Sequence, residues 1–436
     1  MDLIVVLGAA ESGVGAALLA ALKGFEVFVS DKSAISDSYK SLLEENGIPY
    51  EEGQHTQERI FQAKEVIKSP GIPDNVPLVK ALEEKGIPVI SEIEFAGRYT
   101  TAKIVGITGS NGKTTTTLLT HHLLKSAGLN AGLAGNVGFG FAAHVATQPP
   151  VDLYVLELSS FQLDGIRKFR PDIAMLLNIT PDHLDRYDYK LENYANAKFR
   201  IAMNQVESDL FLYNASDPNI RQYSAGKHFA SKAVPLAIEQ VQGAKIEVEG
   251  RVFDLSQTQL RGSHNAMNAV FAVQTALALG ISEEAINAGL KTFKTAPHRL
   301  EKIADVDGVE YINDSKATNV DSVFYALQAM DRPVVWIVGG QDKGNDYEPL
   351  MALVREKVKA IVCMGVDNSK IVKVFAPILS EIRETRSAEE AVKVAQTLAR
   401  PGDAVLLSPA CASFDLFKNY EDRGDQFRAA VVDLKI

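Results

Sequence analysis

Residues Lys103–Thr115, KIVGITGSNGKTT, form the most informative segment of the chain. Its apolar first half is typical of a buried strand, and the small residues that follow are typical of a tight loop. A helix is expected to begin at Lys113 and Thr114. Backbone N–H groups of such a loop turn inward around phosphate oxygens, while the lysine adds a charge and the threonine hydroxyl can bind Mg²⁺. The strict phosphate-loop spacing fails because Ile107 occupies its first glycine position. The context still predicts a nucleoside triphosphate site; the alternative is a glycine-rich turn capped by Thr114.

Outward from this stretch, short runs of Val, Ile and Leu alternate with longer amphipathic stretches along the whole chain. This alternation is typical of βαβ units that build parallel sheets, so the predicted class is α/β. At roughly 150 residues per domain, the 436 residues predict about three domains. We place them at 1–98, an N-terminal Rossmann-like nucleotide-binding domain, at 99–296, a central P-loop ATPase-like domain, and at 297–436, a C-terminal Rossmann-like α/β domain.

The same pattern predicts individual elements. Strands are expected at 2–7, 26–30, 65–68, 88–90, 103–108, 153–157 and 173–178, near 311, and at 334–338, 360–364 and 404–408. Helices are expected near 13–23, 36–46, 76–85, 190–204 and 264–279. The C-terminal segment has no Gly-rich turn of the phosphate-binding kind.

Composition and charge exclude several classes of protein. The chain has 45 Lys and Arg against 55 Asp and Glu, a net charge of −10, which argues against general affinity for nucleic acid or anionic membrane. Cys363 and Cys411 are the only cysteines, too few for a disulfide framework. The N-terminus has no basic segment, and the most apolar later stretch, 269–281, is shorter than a membrane span. We therefore expect a cytoplasmic protein without membrane insertion.

The turn from Gly8 to Gly13 follows the first predicted strand and opens a helix, and Asp31 ends the second strand about 20 residues later. This is the arrangement of a dinucleotide-binding fingerprint, with Ala10 in place of the middle glycine. Ala10 limits how closely a pyrophosphate approaches the backbone. A nucleotide-type anion at the helix N-terminus and a simple tight turn both remain open.

A phosphate loop needs a second metal ligand at a neighbouring strand end. The apolar run VDLYVLEL, residues 151–158, carries Glu157 at its carboxyl end, where ligands of α/β proteins bind. Asp182 and His183 follow the next apolar strand, so they could reach the same metal region. An Asp-His pair in a turn is more often structural, and that alternative stays open.

Taken together, five segments resemble the Mur ligases: Gly106–Thr115, Glu157–Leu163, Asp182–Tyr187, Asn313–Asn319 and Leu407–Asp415. The resemblance spans the whole chain in the family's order and three-domain layout. The segments ELSSFQL and NDSKATN resemble most the member of the family that adds D-glutamate. They are the most specific part of the match.

The resemblance implies an ATP-dependent amide ligase of peptidoglycan precursor synthesis. The carboxylate of UDP-N-acetylmuramoyl-L-alanine takes the γ-phosphoryl group, the amine of D-glutamate attacks this acyl phosphate, and ADP and phosphate leave. ATP and Mg²⁺ are the implied cofactors, and a monomer in the bacterial cytoplasm is the implied form. This chemistry fits the predicted sites, because bringing anions together requires a phosphate cradle, a metal and cations.

The resemblance also implies the residues of each subsite. Catalysis is assigned to Lys113, His183 and Lys198. ATP binding is assigned to Gly109, Ser110, Asn111, Gly112, Lys113, Thr114, Thr115, Asn265, Asn268, His298, Arg299, Asp314 and Lys316. UDP-sugar binding is assigned to Ser12, Asp31, Lys32, Gly71, Asn136, Ser159, Gln162 and His183. D-Glutamate binding is assigned to Thr318, Lys343, Ser413, Phe414 and Tyr420, and metal binding to Thr114, Glu157, His183 and Lys198.

Two of these assignments depend wholly on the resemblance. Lys198 matches the lysine that the family carbamylates, which converts a cation into an anionic metal ligand, whereas the sequence alone indicates a helix-surface lysine. Asn265 and Asn268 lie at i and i+3 of a predicted helix, and the alternative is helix capping. Ala10 and the bulky Phe414 and Tyr420 depart from the family's pattern, and we expect them to change affinity modestly.

Two competing functions remain. A folylpolyglutamate synthase-like ligase would share the phosphate loop and central domain, but the N-terminal turn and the segment 157–163 speak against it. A nucleotide-dependent regulatory module would use the phosphate loop as a switch, but it leaves the separate clusters of polar residues unexplained.

Overall fold

The computed structural model describes residues 2–342 and 344–434. The chain divides into two compact units: Met1–Asp254 with Met267–Thr292, and Leu255–Ala266 with Phe293–Ile436. The first unit contains two parallel sheets and the second unit contains one mixed sheet. These sheets and their helices confirm the predicted three-part α/β fold. The boundaries at 98 and 296 stay predictions.

The N-terminal sheet has the order β3-β2-β1-β4-β5, with all neighbouring strands parallel. This order matches the first five strands of the Rossmann order 3-2-1-4-5-6, in which ligands bind beyond the carboxyl ends of the strands where the order reverses, between β1 and β4. Its elements are β1 (Leu3–Leu7), α1 (Glu11–Leu22), β2 (Glu26–Asp31), α2 (Asp37–Glu45), β3 (Tyr50–Glu52), α3 (Gln57–Ile60), β4 (Glu65–Lys68), α4 (Pro77–Glu84), β5 (Val89–Ile90) and α5 (Glu92–Gly97).

The central sheet has the order β11-β10-β9-β6-β8-β7, and its strands are also parallel. The strand of the phosphate-loop segment, β6, therefore lies in the middle, between β8 and β9. The elements are β6 (Lys103–Thr108), α6 (Lys113–Ser126), β7 (Ala131–Gly135), α7 (Phe141–Thr147), β8 (Leu153–Glu157), α8 (Ser160–Asp164), β9 (Ile173–Leu176), α9 (Leu191–Phe199), β10 (Leu210–Asn214), α10 (Pro218–Ser224) and β11 (Lys232–Leu236).

A small antiparallel sheet follows, which the sequence pattern did not predict. Its strands are short and mostly polar, so they lack the apolar run of a buried strand. They are β12 (Val241–Gln242), β13 (Lys245–Val248) and β14 (Arg251–Asp254), and two helices come next, α11 (Gly262–Ala278) and α12 (Glu283–Thr292).

Two predicted elements end earlier than expected. The strand predicted to reach Asn178 ends at Leu176, because the Asn178 side chain bonds to the backbone of the phosphate loop. The helix predicted at 190–204 ends at Phe199 and continues as a 3₁₀ turn over Arg200–Ala202. The first of these ends depends on a polar contact with a distant loop, which no periodicity reveals.

The sheet of the second unit has the order β15-β16-β20-β17-β18-β19, parallel except for the β15/β16 pair. The last strand, β20, lies between β16 and β17 and is parallel to both, so the carboxyl ends of these three strands lie at the same edge of the sheet. The elements are β15 (Glu301–Val306), β16 (Val309–Asn313), α13 (Val320–Gln328), β17 (Val334–Gly339), α14 (Met351–Lys357), β18 (Val358–Met364), α15 (Ser369–Phe375), β19 (Ile382–Thr385), α16 (Ala388–Leu398), β20 (Ala404–Ala410) and α17 (Tyr420–Asp433).

Buried contacts join the two sheets of the first unit. The carboxylate of Glu94, on α5, accepts hydrogen bonds from the backbone N–H groups of residues 167, 168 and 169 at 2.9, 2.8 and 2.7 Å. Helix α1 meets α7 at Gly15, where a Cβ would lie 2.8 Å from the Cβ of Ala143. Only glycine permits this approach, so the N-terminal and central sheets form one body. In the described part of the chain, no helix is long and apolar enough to cross a membrane.

Glu92 is a second buried acid at this junction. Its side chain accepts a hydrogen bond from the backbone N–H of Ala142, at the start of α7, while Oε2 has no hydrogen-bond partner among the described residues. Burial, together with the nearby charge of Glu11, raises the pKa of Glu92 to about 7. The folded protein thus keeps a proton on Glu92 that the unfolded chain releases near pH 4.5.

The variant E92Q is expected to remove a pH dependence of stability. Between about pH 4.5 and about pH 7 the folded parent binds more protons than the unfolded chain, so its free energy of unfolding falls as the pH rises. Across this pH range the free energy of unfolding of the parent is expected to fall by about 3 kcal/mol more than that of E92Q. Urea unfolding of both proteins across this range measures it, with E84Q on the exposed face of α4 as the control. A difference that stays constant with pH would contradict the raised pKa.

Candidate functional site

The phosphate-loop segment has the geometry expected from its sequence. Gly109–Gly112 joins β6 to α6, and Gly112 adopts a left-handed backbone with φ 81°. The loop is held from the next strand end: Asn111 N–H donates to the Asn178 side chain at 2.8 Å, and Ser110 N–H to the Asn178 carbonyl at 3.0 Å. Thr114 and Thr115 lie buried in the first turn of α6. The backbone is thus fixed before any ligand binds.

Two lysines share one carbonyl of this loop. Lys113 Nζ donates to the Gly109 and Ser110 carbonyls, both at 2.8 Å, and Lys198 Nζ donates to the Gly109 carbonyl at 2.7 Å. Lys198 is 1% exposed and lies 4.4 Å from the ring centre of Tyr194. Burial, and next the cation of Lys113, lower the pKa of Lys198 well below its usual value. A helix-surface lysine is therefore excluded, and Lys198 carries a buried amine beside the phosphate loop.

Glu157 ends β8, directly beside the phosphate-loop strand. It pairs with Ile107 in the parallel ladder and is 5% exposed. Its Oε2 is fully buried, with no hydrogen-bond partner among the described residues. A buried carboxylate oxygen without a hydrogen-bond partner is costly, and its chemistry suits it to bind a cation.

His183 is placed on the same side by an unusual backbone. Its φ is 51°, which presents an exposed imidazole with Nε2 3.6 Å from Asp182 Oδ2 and the ring edge-on to Phe161. Arg186, three residues on, donates to the carbonyls of residues 70, 71 and 72, each at 3.3 Å. Arg186 therefore ties the turn of His183 to the loop around Gly71 that follows β4.

The N-terminal turn is organised around Asp31. Its carboxylate accepts hydrogen bonds from the backbone N–H groups of Ala9, at 2.7 Å, and Ser33, at 2.8 Å. Gly8, with φ 91°, gives the chain its sharp exit from β1. Ser12 lies in the first turn of α1, and Lys32 is exposed. The turn is thus rigid, and the open helix N-terminus stays available to an anion.

The remaining predicted UDP-sugar residues lie at the ends of β7 and β8. The backbone N–H of Asn136 donates to the Glu157 carbonyl at 2.9 Å, and its side chain lies on the exposed side of the loop. Ser159 and Gln162 form a reciprocal capping box at the start of α8. The capping box is a structural role, and it fixes both side chains at the start of α8, just after Glu157.

The two asparagines predicted to bind ATP, Asn265 and Asn268, lie on α11. Asn268 packs on the phosphate loop, where a Cβ at Gly112 would lie 2.6 Å from its Oδ1. Asn265 donates to the Arg261 carbonyl at 2.9 Å, a contact within the helix. The first unit therefore brings Asn268 to the loop, and Asn265 belongs to the second unit.

The variant G112A is expected to raise the KM for ATP at least about tenfold. Alanine at φ 81° costs roughly 1–2 kcal/mol, and its Cβ would push Asn268 away from the loop. The matched control is G24A, because Gly24 has φ 82° with no atom within 4 Å of an added Cβ. Steady-state kinetics and urea unfolding separate the two effects: both variants lose stability, and only G112A loses ATP affinity. Equal KM values in the two variants would refute the contact.

In the second unit, the predicted residues surround the carboxyl ends of β16 and β20. Asp314 accepts from Ser408 Oγ at 2.8 Å and from Leu300 N–H at 3.2 Å, and burial raises its pKa to about 7. The backbone N–H of Lys316 donates to the His298 carbonyl, and Lys316 Nζ lies 5.2 Å from the ring centre of Tyr420. Asp314, Lys316, His298 and Tyr420 thus form one cluster.

The other predicted residues of the second unit differ in burial. Ser413 is buried, while Thr318 and Phe414 are exposed, Phe414 by 66%. Arg299 is partly buried between His298 and Leu300. Lys343 lies outside the described residues. The structure therefore groups Ser413 with the loop after β20 and leaves the expected lysine of this subsite a prediction.

Sequence analysis missed a buried arginine in this unit. Arg423 is 1% exposed and donates to the Ser315 hydroxyl and carbonyl and to the Cys411 carbonyl, at 2.9, 2.8 and 3.2 Å. Burial lowers its pKa to about 10. It joins the loops that carry Lys316 and Ser413. Its spacing of four residues from the buried Phe427 was the available signal.

Comparison with protein-family models gives matches over most of the chain. Residues 107–276 match the Mur ligase middle domain, and residues 298–411 match the domain described as "Mur ligase, glutamate ligase domain". Residues 4–76 match the MurD N-terminal domain. The three models follow one another in the order of the three predicted domains.

Curated relatives and solved structures agree with these matches. A UDP-N-acetylmuramoylalanine–D-glutamate ligase of Christiangramia forsetii is 53% identical over 442 residues, covering 99% of each chain. One of Bacteroides fragilis is 52% identical over 445 residues, covering 100% of each. A MurF ligase from Thermotoga maritima, solved in complex with ADP, superposes with a TM-score of 0.63 at 16% identity, covering 93% of this chain and 95% of that one. This structure shows a shared fold only.

Proposed function

This chain belongs to the Mur ligase family, and we propose that it joins D-glutamate to UDP-N-acetylmuramoyl-L-alanine at the expense of ATP. The reaction belongs to peptidoglycan precursor synthesis. One observation carries the proposal beyond the family match: two lysines converge on the Gly109 carbonyl of the phosphate loop, and the neighbouring strand ends in a buried carboxylate. This arrangement suits the transfer of a phosphoryl group between anions.

The first step is formation of an acyl phosphate. The alanyl carboxylate of the nucleotide sugar attacks the γ-phosphorus of ATP, and ADP leaves. Backbone N–H groups of residues 109–112 and the start of α6 would hold the phosphates, with Thr115 in its first turn. Lys113 would exchange a loop carbonyl for a phosphate oxygen and so offset charge as it builds on the leaving group.

Mg²⁺ is the proposed metal, and the residues present fit it. The orphaned Glu157 oxygen and the buried Thr114 hydroxyl are hard oxygen ligands of the type that Mg²⁺ prefers alongside phosphates. We assign His183 and a carbamate on Lys198 to the same region. When bound, the metal supplies positive charge that brings the carboxylate and the phosphates together.

The amine of Lys198 has the properties that carbamylation requires. Only a neutral amine attacks CO₂, and burial lowers the pKa of Lys198 so that this form is available. The new N–C bond consumes the amine lone pair and releases a proton, which leaves an anion. That anion would remove the electrostatic repulsion between the side chains of Lys113 and Lys198, which both donate to the Gly109 carbonyl.

The second step is amide formation. The free amine of D-glutamate attacks the acyl carbon, phosphate leaves with the C–O bond electrons, and the nitrogen loses one proton as the amide N–H forms. We assign binding of D-glutamate to Thr318, Lys343, Ser413, Phe414 and Tyr420, because its two carboxylates need a cation and hydroxyl or amide donors to replace lost hydration. Asn265, Asn268, His298, Arg299, Asp314 and Lys316 complete the proposed ATP site, and Ser12, Asp31, Lys32, Gly71, Asn136, Ser159, Gln162 and His183 the UDP-sugar site.

Phosphate release by the purified protein tests this function. With ATP and Mg²⁺, release is expected only when UDP-N-acetylmuramoyl-L-alanine and D-glutamate are both present, and L-glutamate is expected to fail. Release that a folate stimulates would favour the folylpolyglutamate synthase-like reading instead. Slow release indifferent to every acceptor would favour the regulatory switch. We propose a cytoplasmic monomer, which sedimentation and cell fractionation test.

A further inference from the structure

An acidic residue stands where the nucleotide sugar is proposed to bind. Glu11 opens α1, one residue before Ser12, at the helix N-terminus that would receive the diphosphate. A carboxylate facing that anion would repel it. In the structure Glu11 instead accepts a hydrogen bond at 3.0 Å from the backbone N–H of Gly140. The carboxylate is thus bound to the central sheet's loop, and its charge is partly satisfied there.

The loop that Glu11 holds is the loop of Asn136. Its ends are closed by a hydrogen bond from Gly135 N–H to the Phe139 carbonyl at 2.9 Å. Its first part is bound to β8 through the Asn136 N–H and the Glu157 carbonyl. Its last residue packs on α1, since a Cβ at Gly140 would lie 3.8 Å from the Cα of Ser12. The loop therefore spans from the N-terminal nucleotide turn to the proposed metal region.

A second carboxylate supports the same segment. Glu92, on α5, accepts a hydrogen bond from Ala142 N–H, two residues beyond the contact of Glu11. Both acids come from the N-terminal part of the first unit, and both accept backbone N–H groups at the start of α7. Glu92 is buried and Glu11 is exposed, so only Glu11 can be altered at the surface without opening the core.

We propose that Glu11 is a positioning residue for the UDP-sugar, because it fixes the spacing between the nucleotide turn and the Asn136 loop. The inference rests on the proposed function. A ligand that must contact Ser12 and Asp31 at one end and Asn136 at the other needs both sites at a fixed separation. Glu11 supplies this link without touching the substrate, and it keeps its own charge away from the diphosphate.

The test compares E11A with E11Q. Removing one hydrogen bond to a charged acceptor is expected to raise the KM for UDP-N-acetylmuramoyl-L-alanine about fivefold to tenfold in E11A. The KM values for ATP and D-glutamate should stay within about twofold of the parent. Glutamine keeps an acceptor oxygen, so E11Q should restore most of the affinity. The control E84A removes an exposed glutamate on α4 and is expected to change none of these values.

Hydrogen exchange gives a readout independent of catalysis. Exchange of the segment 136–142 should be faster in E11A than in the parent and in E11Q, while other loops keep their rates. Unchanged exchange and an unchanged KM for the nucleotide sugar in E11A would overturn the inference, as would a KM increase shared by all three substrates. Failure of the proposed function would give a different result: the parent protein would release phosphate without needing the nucleotide sugar.

Discussion

Replacing Lys198 by alanine is expected to lower kcat by about 10³-fold. The amine is buried on the Gly109 carbonyl, and under the proposed function its carbamate is an anionic ligand beside the phosphates. Alanine removes both the amine and the site of carbamylation. Steady-state phosphate release with all three substrates measures the loss. K190A is the matched control, because Lys190 is exposed at the N-terminus of the same helix.

Chemical rescue separates a missing ligand from a damaged fold. A short carboxylic acid such as acetate, added at high concentration, should restore part of the activity of K198A and none of the activity lost in E157Q, whose glutamine leaves no space for the acid. The parent should lose activity in CO₂-depleted buffer and regain it with bicarbonate. Retention of more than about a tenth of kcat in K198A would contradict the assignment.

The variant E157Q is expected to lose about 10²- to 10³-fold in kcat and to need more Mg²⁺ for half-maximal activity. Glutamine keeps the shape of Glu157 but removes the charge that would bind the metal. Its stability should not fall, since the parent holds a carboxylate oxygen that is buried without a hydrogen-bond partner among the described residues. Titration of Mg²⁺ in the kinetic assay and metal-free urea unfolding measure the two effects.

D152N is the control for E157Q, because Asp152 precedes the same strand at its exposed end. It removes the same charge from the other end of β8 and should leave kcat and the Mg²⁺ requirement unchanged. A clear loss of stability in E157Q would show that the carboxylate has a structural partner, and unchanged kinetics would remove Glu157 from the metal site.

Local sequence patterns were sufficient to predict the α/β class and the phosphate loop of this protein. The alternation of apolar runs with amphipathic stretches was sufficient for α/β parallel sheets, because both periods are local. The segment from Lys103 to Thr115 was sufficient for the phosphate loop, since its strand, its glycines and the start of α6 are contiguous. Five spaced motifs were sufficient for the family, which the whole-length relatives confirm.

Short and polar elements escaped prediction for a physical reason. Strands such as β3, and the antiparallel strands β12, β13 and β14, are too short or too polar to show a period. They exist because neighbouring strands satisfy their backbone groups, which is a property of the assembled sheet. The end of β9 at Leu176 likewise depends on a side chain that bonds to a loop 67 residues away.

The burial and the hydrogen-bond partners of individual side chains depend on tertiary packing, and the sequence did not predict them. Lys198 read as a surface lysine, and packing made it a buried amine on the Gly109 carbonyl. Nothing in the sequence singled out Glu11, and the fold brought it to Gly140, 129 residues later. Burial and pairing over such separations are set by which strands lie side by side, so desolvation and hydrogen-bond partners appear only once the sheets are assembled.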